Sequence, residues 1–420
     1  MIFPAETRTR AAATGRRPLA RVGTHMRSLG MLLLGLVLLL PTVAMADDDV
    51  PTLAYLRFGN SPSFQLTDKA VLDMLEAYGY VSADERASLQ GGNDLHGEKI
   101  NILYREAGFD LPTANLMVED ALDEGADVLL TLSTEVGFIA AGAISEMANP
   151  PVLVFAIVAL PYAAGIAEAP CIKPDNITGT EMFVDTEEWF AIPYKQNPDF
   201  ANLGVVLDPN SPSASGYEAG LEQFVLATGA NVEIATATSA PEMALAADTL
   251  IDKGVDAIFL PPRTSSPAGL PAVVTASYGV PVYSALVSDV IYGVTVGNGF
   301  EGWYREGVIA ARMVIGHLRG ELDIARTSIA VTPSFKVAVN LDTAGSQGII
   351  ISEALLAEAD YVIEDGQGAG ADLESLGFNL SLPEMTLEER IAEDAAFLEG
   401  LQCTPEMIAE QRAALEAAGE

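Results

Sequence analysis

The sequence predicts an α/β protein built from two units with parallel sheets, followed by a C-terminal helical appendage. Short, almost uniformly apolar stretches alternate with amphipathic helical stretches, and this alternation stops and restarts once near the middle of the chain. Strands that are apolar on both faces are typical of parallel sheets covered by helices on both sides. The length of 420 residues and a hydrophobic content of 50% allow two or three domains with substantial cores.

The first unit alternates strands and helices from residue 52 onward. Its predicted strands are Thr52–Phe58, Lys99–Tyr104, Asp127–Leu132 and Val152–Ile157, and its predicted helices are Leu66–Tyr80, Thr113–Asp123 and Thr134–Met147. The polar, glycine-containing stretch Ser82–Glu98 predicts a loop. A polar break from Ala167 to Asn176 ends the unit, so the two units are joined near Leu160–Asn176.

The second unit repeats the alternation and leads into an acidic tail. Its predicted strands are Asn202–Leu207, Asn231–Ala237, Ala257–Leu260, Val280–Ser284 and Asp289–Val296, and its predicted helices are Ser215–Thr228, Ala240–Lys253, Pro267–Ser277 and Glu301–Arg319. Ala330–Asn340 is predicted to be extended. Residues 365–420 carry 13 acids and two bases, with helical patterns at Leu387–Leu401 and Pro405–Ala418. This tail is interpreted either as a solvated surface layer or as a docking element for a partner.

The first 46 residues have the features of a secretory signal peptide. They contain six Arg and one Glu, and Leu29–Leu40 is a 12-residue apolar run, shorter than the roughly 20 residues that span a bilayer. Ala44-Met45-Ala46 then offers a small-x-small cleavage signal before Asp47. Translation starts at Met1 or at Met26, and a twin-arginine signal at Arg16-Arg17 is an alternative. Because no Cys follows the cleavage site, we expect a periplasmic protein that is not a lipoprotein.

The charge of the chain excludes two classes of partner. With 22 Lys+Arg against 58 Asp+Glu, the formal net charge is −36, so no basic face for nucleic acid or for an anionic membrane surface is expected. No stretch of 18 or more apolar residues follows the leader, so we expect no membrane insertion of the mature chain. Cys171 and Cys403 either form a disulfide, as the oxidising compartment permits, or stay as free thiols. Neither these two Cys nor His96 and His317 have the spacing of metal ligands.

Polar residues follow several predicted strands, where open α/β sheets bind ligands. The turns are Gly59–Ser63, Ser133–Glu135, Asn210–Ser215, Arg263–Ser266 and Ser288-Asp289. Each offers hydroxyl or amide groups beside a helix N-terminus, although Ser and Thr are also ordinary N-caps. No pair of nucleophile and base accompanies them, so the pattern favours binding over catalysis. Gly297–Gly302 spells G-x-G-x-x-G, which indicates either a dinucleotide site or a glycine-rich turn at a crossover between the units.

Several segments resemble the substrate-binding proteins of ABC importers, within the type I periplasmic binding protein superfamily and its branch that includes binders of aromatic amino acids. The segments that carry the resemblance are Asp127–Thr134, Pro151–Ala156, Asn176–Gly179, Gly254–Pro261, Gly307, Val339–Leu341 and Gly348-Ile349. The similarity covers Leu53 to Ile351. It implies two Rossmann-like lobes joined by a hinge of several crossings, with residues 50–160 and 292–327 in the N-terminal lobe and residues 161–291 and 328–364 in the C-terminal lobe. Residues 365–420, the acidic helical tail, lie outside the resemblance.

The resemblance also implies a function and a set of ligand-binding residues. A small molecule would be captured between the lobes and delivered to an ABC permease in the inner membrane by a monomer without a cofactor. The residues transferred by position are Ser61, Ser63, Ser133, Thr134, Ser213, Ser215, Arg263, Thr264 and Ser288. Two alternatives are a periplasmic sensor that signals to a membrane receptor and an exported α/β hydrolase or isomerase.

Two positions depart from the family pattern and bear on the ligand. Arg263 stands where the family usually has Asp in a Pro-Thr-Asp turn, and Leu160-Pro161 stands where it often has Asp-Pro. Since Arg suits a carboxylate or phosphate through two parallel hydrogen bonds, the hypothesis is an acidic or carboxylate-bearing solute. Three aromatic residues could stack on a ring of the ligand or belong to the core: Tyr283, Phe155 and Trp303.

Overall fold

Two seven-stranded sheets, each flanked by helices, form the body of the protein. The computed structural model describes residues 50–183, 186–262, 267–365 and 380–418, so the predicted signal peptide over residues 1–46 lies outside the described part. The strands are β1 Thr52–Arg57, β2 Leu95–His96, β3 Asn101–Glu106, β4 Val128–Leu132, β5 Val152–Val158, β6 Ile177–Phe183, β7 Asn202–Leu207, β8 Asn231–Thr236, β9 Ala257–Leu260, β10 Val282–Leu286, β11 Val296–Phe300, β12 Ala330–Pro333, β13 Lys336–Asn340 and β14 Tyr361–Ile363. The helices are α1 Pro62–Ala77, α2 Ala83–Gln90, α3 Leu111–Asp123, α4 Thr134–Ile144, α5 Thr186–Gln196, α6 Ala214–Thr228, α7 Ala240–Asp252, α8 Leu270–Ala276, α9 Trp303–Leu318, α10 Leu341–Ser346, α11 Glu353–Glu358, α12 Leu387–Glu399 and α13 Pro405–Ala418.

The first sheet has the strand order β12-β6-β5-β4-β1-β3-β2 and is parallel except at the β2–β3 pair. Its central strand β4 is buried at all five positions, as the apolar run predicts for a strand covered on both faces. Helices α1 and α9 pack against each other, and Gly307 of α9 makes this close approach possible. A Cβ at Gly307 would lie 2.4 Å from the carbonyl oxygen of Thr67 in α1.

The second sheet has the order β14-β13-β11-β10-β9-β7-β8 and is parallel except at the β11–β13 pair. Apolar side chains cover both of its faces. One cluster includes Trp189, Phe190 and Phe259, and the other includes Met243 and Leu250. The two sheets with their helices are the two lobes predicted from the alternating pattern.

Between β1 and β14, three connections of the chain pass between the lobes. They run from β6 to β7 through α5, from β11 to α9, and from β12 to β13 across Ser334 and Phe335. The buried Glu306 of α9 lies beside these crossings, because its carboxyl accepts hydrogen bonds from the hydroxyls of Thr180 in β6 and Thr332 in β12. Several crossings of this kind form the hinge of a two-lobe protein.

The strands divide between the lobes differently from the expected boundaries of 50–160 with 292–327 and 161–291 with 328–364. Strands β6 and β12 belong to the first sheet and β11 belongs to the second. The sequence pattern predicts no strand at Ile177–Phe183 because Thr178, Thr180 and Glu181 interrupt the apolar run. Their polarity is compatible with burial because the chain supplies partners: the Thr178 hydroxyl, for example, donates to the carbonyl oxygen of Ser328 at 3.2 Å.

Three further elements differ from the predictions. The expected loop Ser82–Glu98 contains helix α2, which starts with a capping box of Ser82 and Glu85, and the short strand β2. Helix α5 was not predicted, and Pro193 inside it explains why, since proline disfavours a helix interior. The expected strand Asp289–Val296 is a 3₁₀ turn over Val287–Tyr292, and the strand begins only at Val296.

The G-x-G-x-x-G segment forms strand β11 and its exit instead of a phosphate-binding turn. Cβ atoms at Gly297 and Gly299 would lie 2.6 Å and 2.1 Å from the carbonyl oxygens of Val287 and Ala285. These two glycines therefore let β11 lie close to the end of β10. Gly302 is the N-cap of α9, so the segment is a glycine-rich crossover between the lobes.

The acidic tail is attached to the first lobe by covalent and noncovalent contacts. Cys171 and Cys403 form a disulfide, one of the two alternatives that the sequence left open for this pair. Asp394 of α12 accepts hydrogen bonds from Arg312 Nε at 2.6 Å and from the Tyr78 hydroxyl at 2.7 Å, and Leu398 is buried in the first core. Helix α13 has no buried residue. The tail is thus a packed layer at α12 and a solvated one at α13.

No helix in the described ranges is both long and apolar enough to cross a membrane.

Candidate ligand-binding site

A cavity lies where the carboxyl ends of the strands of the two sheets face each other. Its first-lobe wall comes mainly from the loops after β1, β3, β4 and β5, and its second-lobe wall from the loops after β7, β9 and β10. The described lining residues are Phe58, Ser61, Ser63, Phe64, Phe109, Ser133, Thr134, Glu135, Ile157, Ala159, Met182, Ser211, Tyr217, Pro262, Pro267, Leu286, Asp289 and Trp303. This is the position at which open α/β sheets bind ligands.

Four of the predicted ligand-binding residues line this cavity: Ser61, Ser63, Ser133 and Thr134. The hydroxyl oxygens of Ser61 and Ser63 are 2.7 Å apart at the start of α1. Ser133 is the N-cap of α4, where its hydroxyl accepts a hydrogen bond from the Val136 N–H at 3.3 Å. Ser133 therefore caps a helix and also faces the cavity. The helix-capping role and the ligand-binding role predicted for such a turn are compatible at this residue.

The other predicted residues do not line the cavity or are not described. Ser213 and Ser288 are buried, with 1% and 2% of their surface exposed, and Ser215 is exposed on helix α6. Ser213 is the N-cap of α6, and the turn before it brings Ser211 to the cavity instead. After β10, Asp289 lines the cavity in place of Ser288. Arg263 and Thr264 lie outside the described residues.

Aromatic side chains form much of the cavity wall. Phe109 packs edge-on against Phe58 and Phe64, with ring centroids 5.7 Å and 6.0 Å apart. Trp303 is fully buried, and its indole N–H has no hydrogen-bond partner among the described residues. Tyr217 joins from the second lobe. The three phenylalanines could not be recognised from the sequence, because buried rings near strand ends have the same pattern as core residues.

Of the three aromatic residues considered from the sequence, only Trp303 lines the cavity. Tyr283 and Phe155 are fully buried members of the second and first cores.

Glu135, the second residue of α4, places a carboxyl in the cavity wall with 6% of its surface exposed. Burial raises its pKa above the ordinary value, and the like charge of Asp208 raises it further. Hydrogen bonds to the carboxyl from its own backbone N–H and from the hydroxyls of Ser133 and Ser211 act in the opposite direction. Glu135 lies in one of the predicted strand-end turns but was not among the predicted ligand-binding residues. An acid in the first turn of a helix usually interacts with the helix dipole, so its sequence position alone does not indicate a ligand contact.

Two second-lobe acids lie near the cavity as well. Asp289 lines it with 3% of its surface exposed and accepts a hydrogen bond from the Ser284 hydroxyl at 2.5 Å. Asp208 is buried, its pKa is raised by that burial, and it accepts a hydrogen bond from the Asn210 N–H at 2.9 Å. Among the described lining residues, none is Lys, Arg or His.

Backbone strain is concentrated at the cavity. Phe109, Ser133 and Ile157 have φ angles of 62°, 110° and 58°, and all three line the cavity. A positive φ is rare for residues other than glycine and is most unfavourable for a β-branched one such as Ile157. Strain of this kind persists where the surrounding structure holds it, commonly at functional sites. The strain, which no sequence pattern indicated, therefore supports a functional role for the cavity.

The two lobes touch each other around the cavity. The Ser211 hydroxyl of the second lobe hydrogen-bonds the Glu135 carboxyl of the first. At Gly216 in α6, a Cβ would lie 2.7 Å from Leu160 Cδ1 and 3.0 Å from Ala163 Cβ, both of which follow β5 of the first sheet. The lobes are therefore in contact beside the cavity, and a glycine of α6 permits this contact.

The comparisons with known proteins agree with this architecture. Residues 88–363 match the model of the family described as ABC transporter substrate binding protein. A conserved domain protein from Vibrio cholerae has a TM-score of 0.64 at 22% identity, over 75% of this chain and 100% of that one. The ABC domain in complex with L-Trp from Streptococcus pneumoniae has a TM-score of 0.64 at 21% identity, over 74% and 99%.

A third structure, a ligand-free, open substrate binding protein with adhesive properties from Clostridium difficile, has a TM-score of 0.52 at 20% identity, over 75% of this chain and 100% of that one. No curated protein matches the chain. At these identities the structures show the fold, and the family model covers well over half of the chain. The chain therefore belongs to the ABC transporter substrate-binding proteins and has the two-lobe α/β fold of type I periplasmic binding proteins.

Proposed function

We propose that this protein captures a small solute in the cavity between its lobes and delivers it to an ABC permease in the inner membrane. The observation that carries the proposal is one cavity lined by strand-end loops of both lobes, with hydroxyl groups and aromatic rings in its wall. A solute that contacts both lobes stabilises the closed form over the open form. The structural relatives described as an L-Trp complex and as a ligand-free, open protein support this cycle.

The cellular setting of the proposal follows from the leader. Residues 1–46 would direct export and be removed, which leaves a monomeric periplasmic protein without a lipid anchor. A sensor that reports its ligand to a membrane receptor would share the same cavity. The two roles differ in the membrane partner, so binding of the solute-loaded protein to an ABC permease would support transport.

Catalysis is not part of the proposal. The described lining of the cavity offers hydroxyls and carboxyls but none of the His, Lys or Cys side chains that commonly activate a nucleophile. The solute recovered after prolonged incubation should be unchanged, and a chemical conversion would favour the exported enzyme instead.

A screen by thermal shift tests the proposal directly. The mature protein is heated with amino acids, organic acids, amines, nucleosides and vitamins, since a ligand at 100 times its Kd stabilises by about 2.7 kcal/mol. Small-angle scattering should then show a more compact particle with the solute than without it. Stabilisation without compaction would contradict capture by closure.

The contact of Arg263 with a carboxylate stays a separate prediction. If the screen identifies an acidic solute, the affinity of Arg263→Ala for that solute tests it.

A further inference from the structure

Glu135 is a buried carboxyl whose described hydrogen-bond partners are all neutral. The backbone N–H of Glu135 and the hydroxyls of Ser133 and Ser211 bond to it. None of the ion pairs among the described residues includes it, and the charged neighbour that affects its pKa most is another acid, Asp208.

A charge in this position is costly without a counter-charge. Burial of an ionised carboxylate costs several kcal/mol after relaxation, and hydroxyl or amide donors offset only part of that cost. The N-terminus of α4 contributes part of the remainder through its dipole. The nearby carboxyl of Asp208 acts in the opposite direction when the lobes are closed.

The cavity around Glu135 is suited to a cation with an apolar body. Phe58, Phe64 and Phe109 present three rings that can pack on an apolar group or lie against a cation. The unpartnered indole N–H of Trp303, in the same wall, can donate to an acceptor on the ligand.

We propose that the solute carries a protonated amine that pairs with Glu135, with its apolar or aromatic body against Phe58, Phe64 and Phe109. The inference rests on the proposed function and specifies the solute class for that cavity. The amine proposed here and the carboxylate expected to bind Arg263 are different groups of the solute. Because the Ser211 hydroxyl reaches the same carboxyl from the second lobe, Glu135 would bind the amine and also hold the closed form.

Four probes that share a phenyl ring on a short carbon chain separate the charge classes. They are 2-phenylethylamine, phenylalanine, 3-phenylpropanoate and 3-phenylpropan-1-ol, measured by calorimetry on the mature protein at neutral pH. We expect the two amine-bearing probes to bind at least tenfold more tightly than the other two, because a charge-assisted hydrogen bond contributes about 1.5–3 kcal/mol and 1.4 kcal/mol is tenfold.

Two variants test the role of Glu135 itself. Glu135→Gln should weaken 2-phenylethylamine about tenfold or more and leave the alcohol within about twofold, since the side chain keeps its size and loses its charge. Glu135→Asp, which keeps the charge, should retain the preference for amines. Glu388→Gln is the matched control, because Glu388 is the second residue of α12 but is exposed and outside the cavity.

The outcomes separate this inference from the proposed function. Tighter binding of the carboxylate than of the amine, equal loss for both in Glu135→Gln, or no binding of any probe would each overturn the amine assignment. A solute of another class that closes the lobes in the broader screen would still support capture and delivery. If Glu135→Gln does not fold, loss of the amine preference in Glu135→Asp decides against the inference.

Discussion

The buried carboxyl of Glu306 accepts a hydrogen bond from the hydroxyl of Thr332, and this contact joins helix α9 to the strand that leads into the third crossing between the lobes. The hydroxyl of Thr180 and the N–H of Ile157 donate to the same carboxyl, so one side chain connects α9 to β5, β6 and β12. Glu306 has no exposed surface. Burial raises its pKa from 4.5 to about 7, although these three hydrogen bonds and the charge of Arg305 lower it in part.

Glu306 should make the stability of the protein depend on pH. Between pH 4.5 and about pH 7 the folded protein binds more protons at this group than the unfolded chain does, so stability falls as pH rises through this window. The loss should reach about 3 kcal/mol above pH 7. Denaturant unfolding at several pH values measures it, as the difference between the wild type and Glu306→Gln.

The comparison with Glu306→Gln removes the contributions of the other acids. Glutamine keeps the hydrogen-bonding shape without the charge, so the variant should match the wild type near pH 4.5 and exceed its stability above pH 7. A variant that is less stable than the wild type at pH 8 would show that the ionised carboxylate stabilises the hinge, contrary to this prediction.

Gly216 should control closure of the lobes. Gly216→Val places side-chain atoms where Leu160 and Ala163 lie, and overpacking of this kind costs about 1–3 kcal/mol. Since opening of the lobes would move Leu160 and Ala163 away from α6, solute affinity should fall about tenfold or more while the unfolding stability of the solute-free protein changes little. Calorimetry measures the first effect and small-angle scattering should show an expanded particle.

Two further variants isolate the contact. Leu160→Ala combined with Gly216→Val should recover part of the affinity, because it removes the nearest clashing atoms. Gly142→Val is the matched control, since Gly142 is a helical glycine of α4 at which an added Cβ would meet no described atom within 4 Å. Equal effects of Gly142→Val and Gly216→Val on affinity would assign the loss to helix propensity instead of closure.

The position of the cavity could be predicted from the sequence because ligands of open α/β sheets bind at the carboxyl ends of the strands, and this rule depends only on topology. Once strands and helices alternate, the turn after β1 and the turn after β4 must meet at one edge of the first sheet, and Ser61 and Ser133 follow from that. After β7 and β10, the cavity is lined by Ser211 and Asp289, two positions and one position from the predicted Ser213 and Ser288. Which residue of a turn faces the cavity depends on where the helix begins, and helix boundaries are not defined that closely by sequence patterns.

The features that sequence reasoning missed depend on distant parts of the chain. Strand β6 is stabilised in part by Glu306, which lies 126 residues from Thr180, so its polar residues suggested no strand. The strain at Ile157 arises where the register between β5 and β6 shifts, and one strand alone contains no sign of that shift. Glu135 has an ordinary role as a first-turn acid, and only the assembled cavity shows its second role.

Ser133 should be tolerant to glycine and intolerant to alanine. Its φ of 110° is strained for any residue with a Cβ, so Ser133→Ala loses the helix cap and keeps the strain, whereas Ser133→Gly loses the cap and relieves the strain. We expect the glycine variant to be about 1–2 kcal/mol more stable than the alanine variant by denaturant unfolding. Both should lose solute affinity to a similar degree because both lack the hydroxyl. Alanine as stable as glycine would argue that the backbone at Ser133 is unstrained.

The Cys171–Cys403 disulfide should stabilise the fold without affecting the solute site. It links residues 232 positions apart, and removal of such a crosslink typically costs about 2–5 kcal/mol, largely through the greater freedom of the unfolded chain. No residue of 380–418 lines the cavity, so the double variant Cys171→Ser with Cys403→Ser should keep its solute affinity within about twofold.

In the same double variant, hydrogen exchange should increase more in α13 than in α12. Helix α13 has no buried residue, whereas α12 keeps the Asp394–Arg312 contact and the buried Leu398. Uniform protection of both helices in the double variant would show that noncovalent contacts alone hold the tail, and a loss of affinity would link the tail to the cavity.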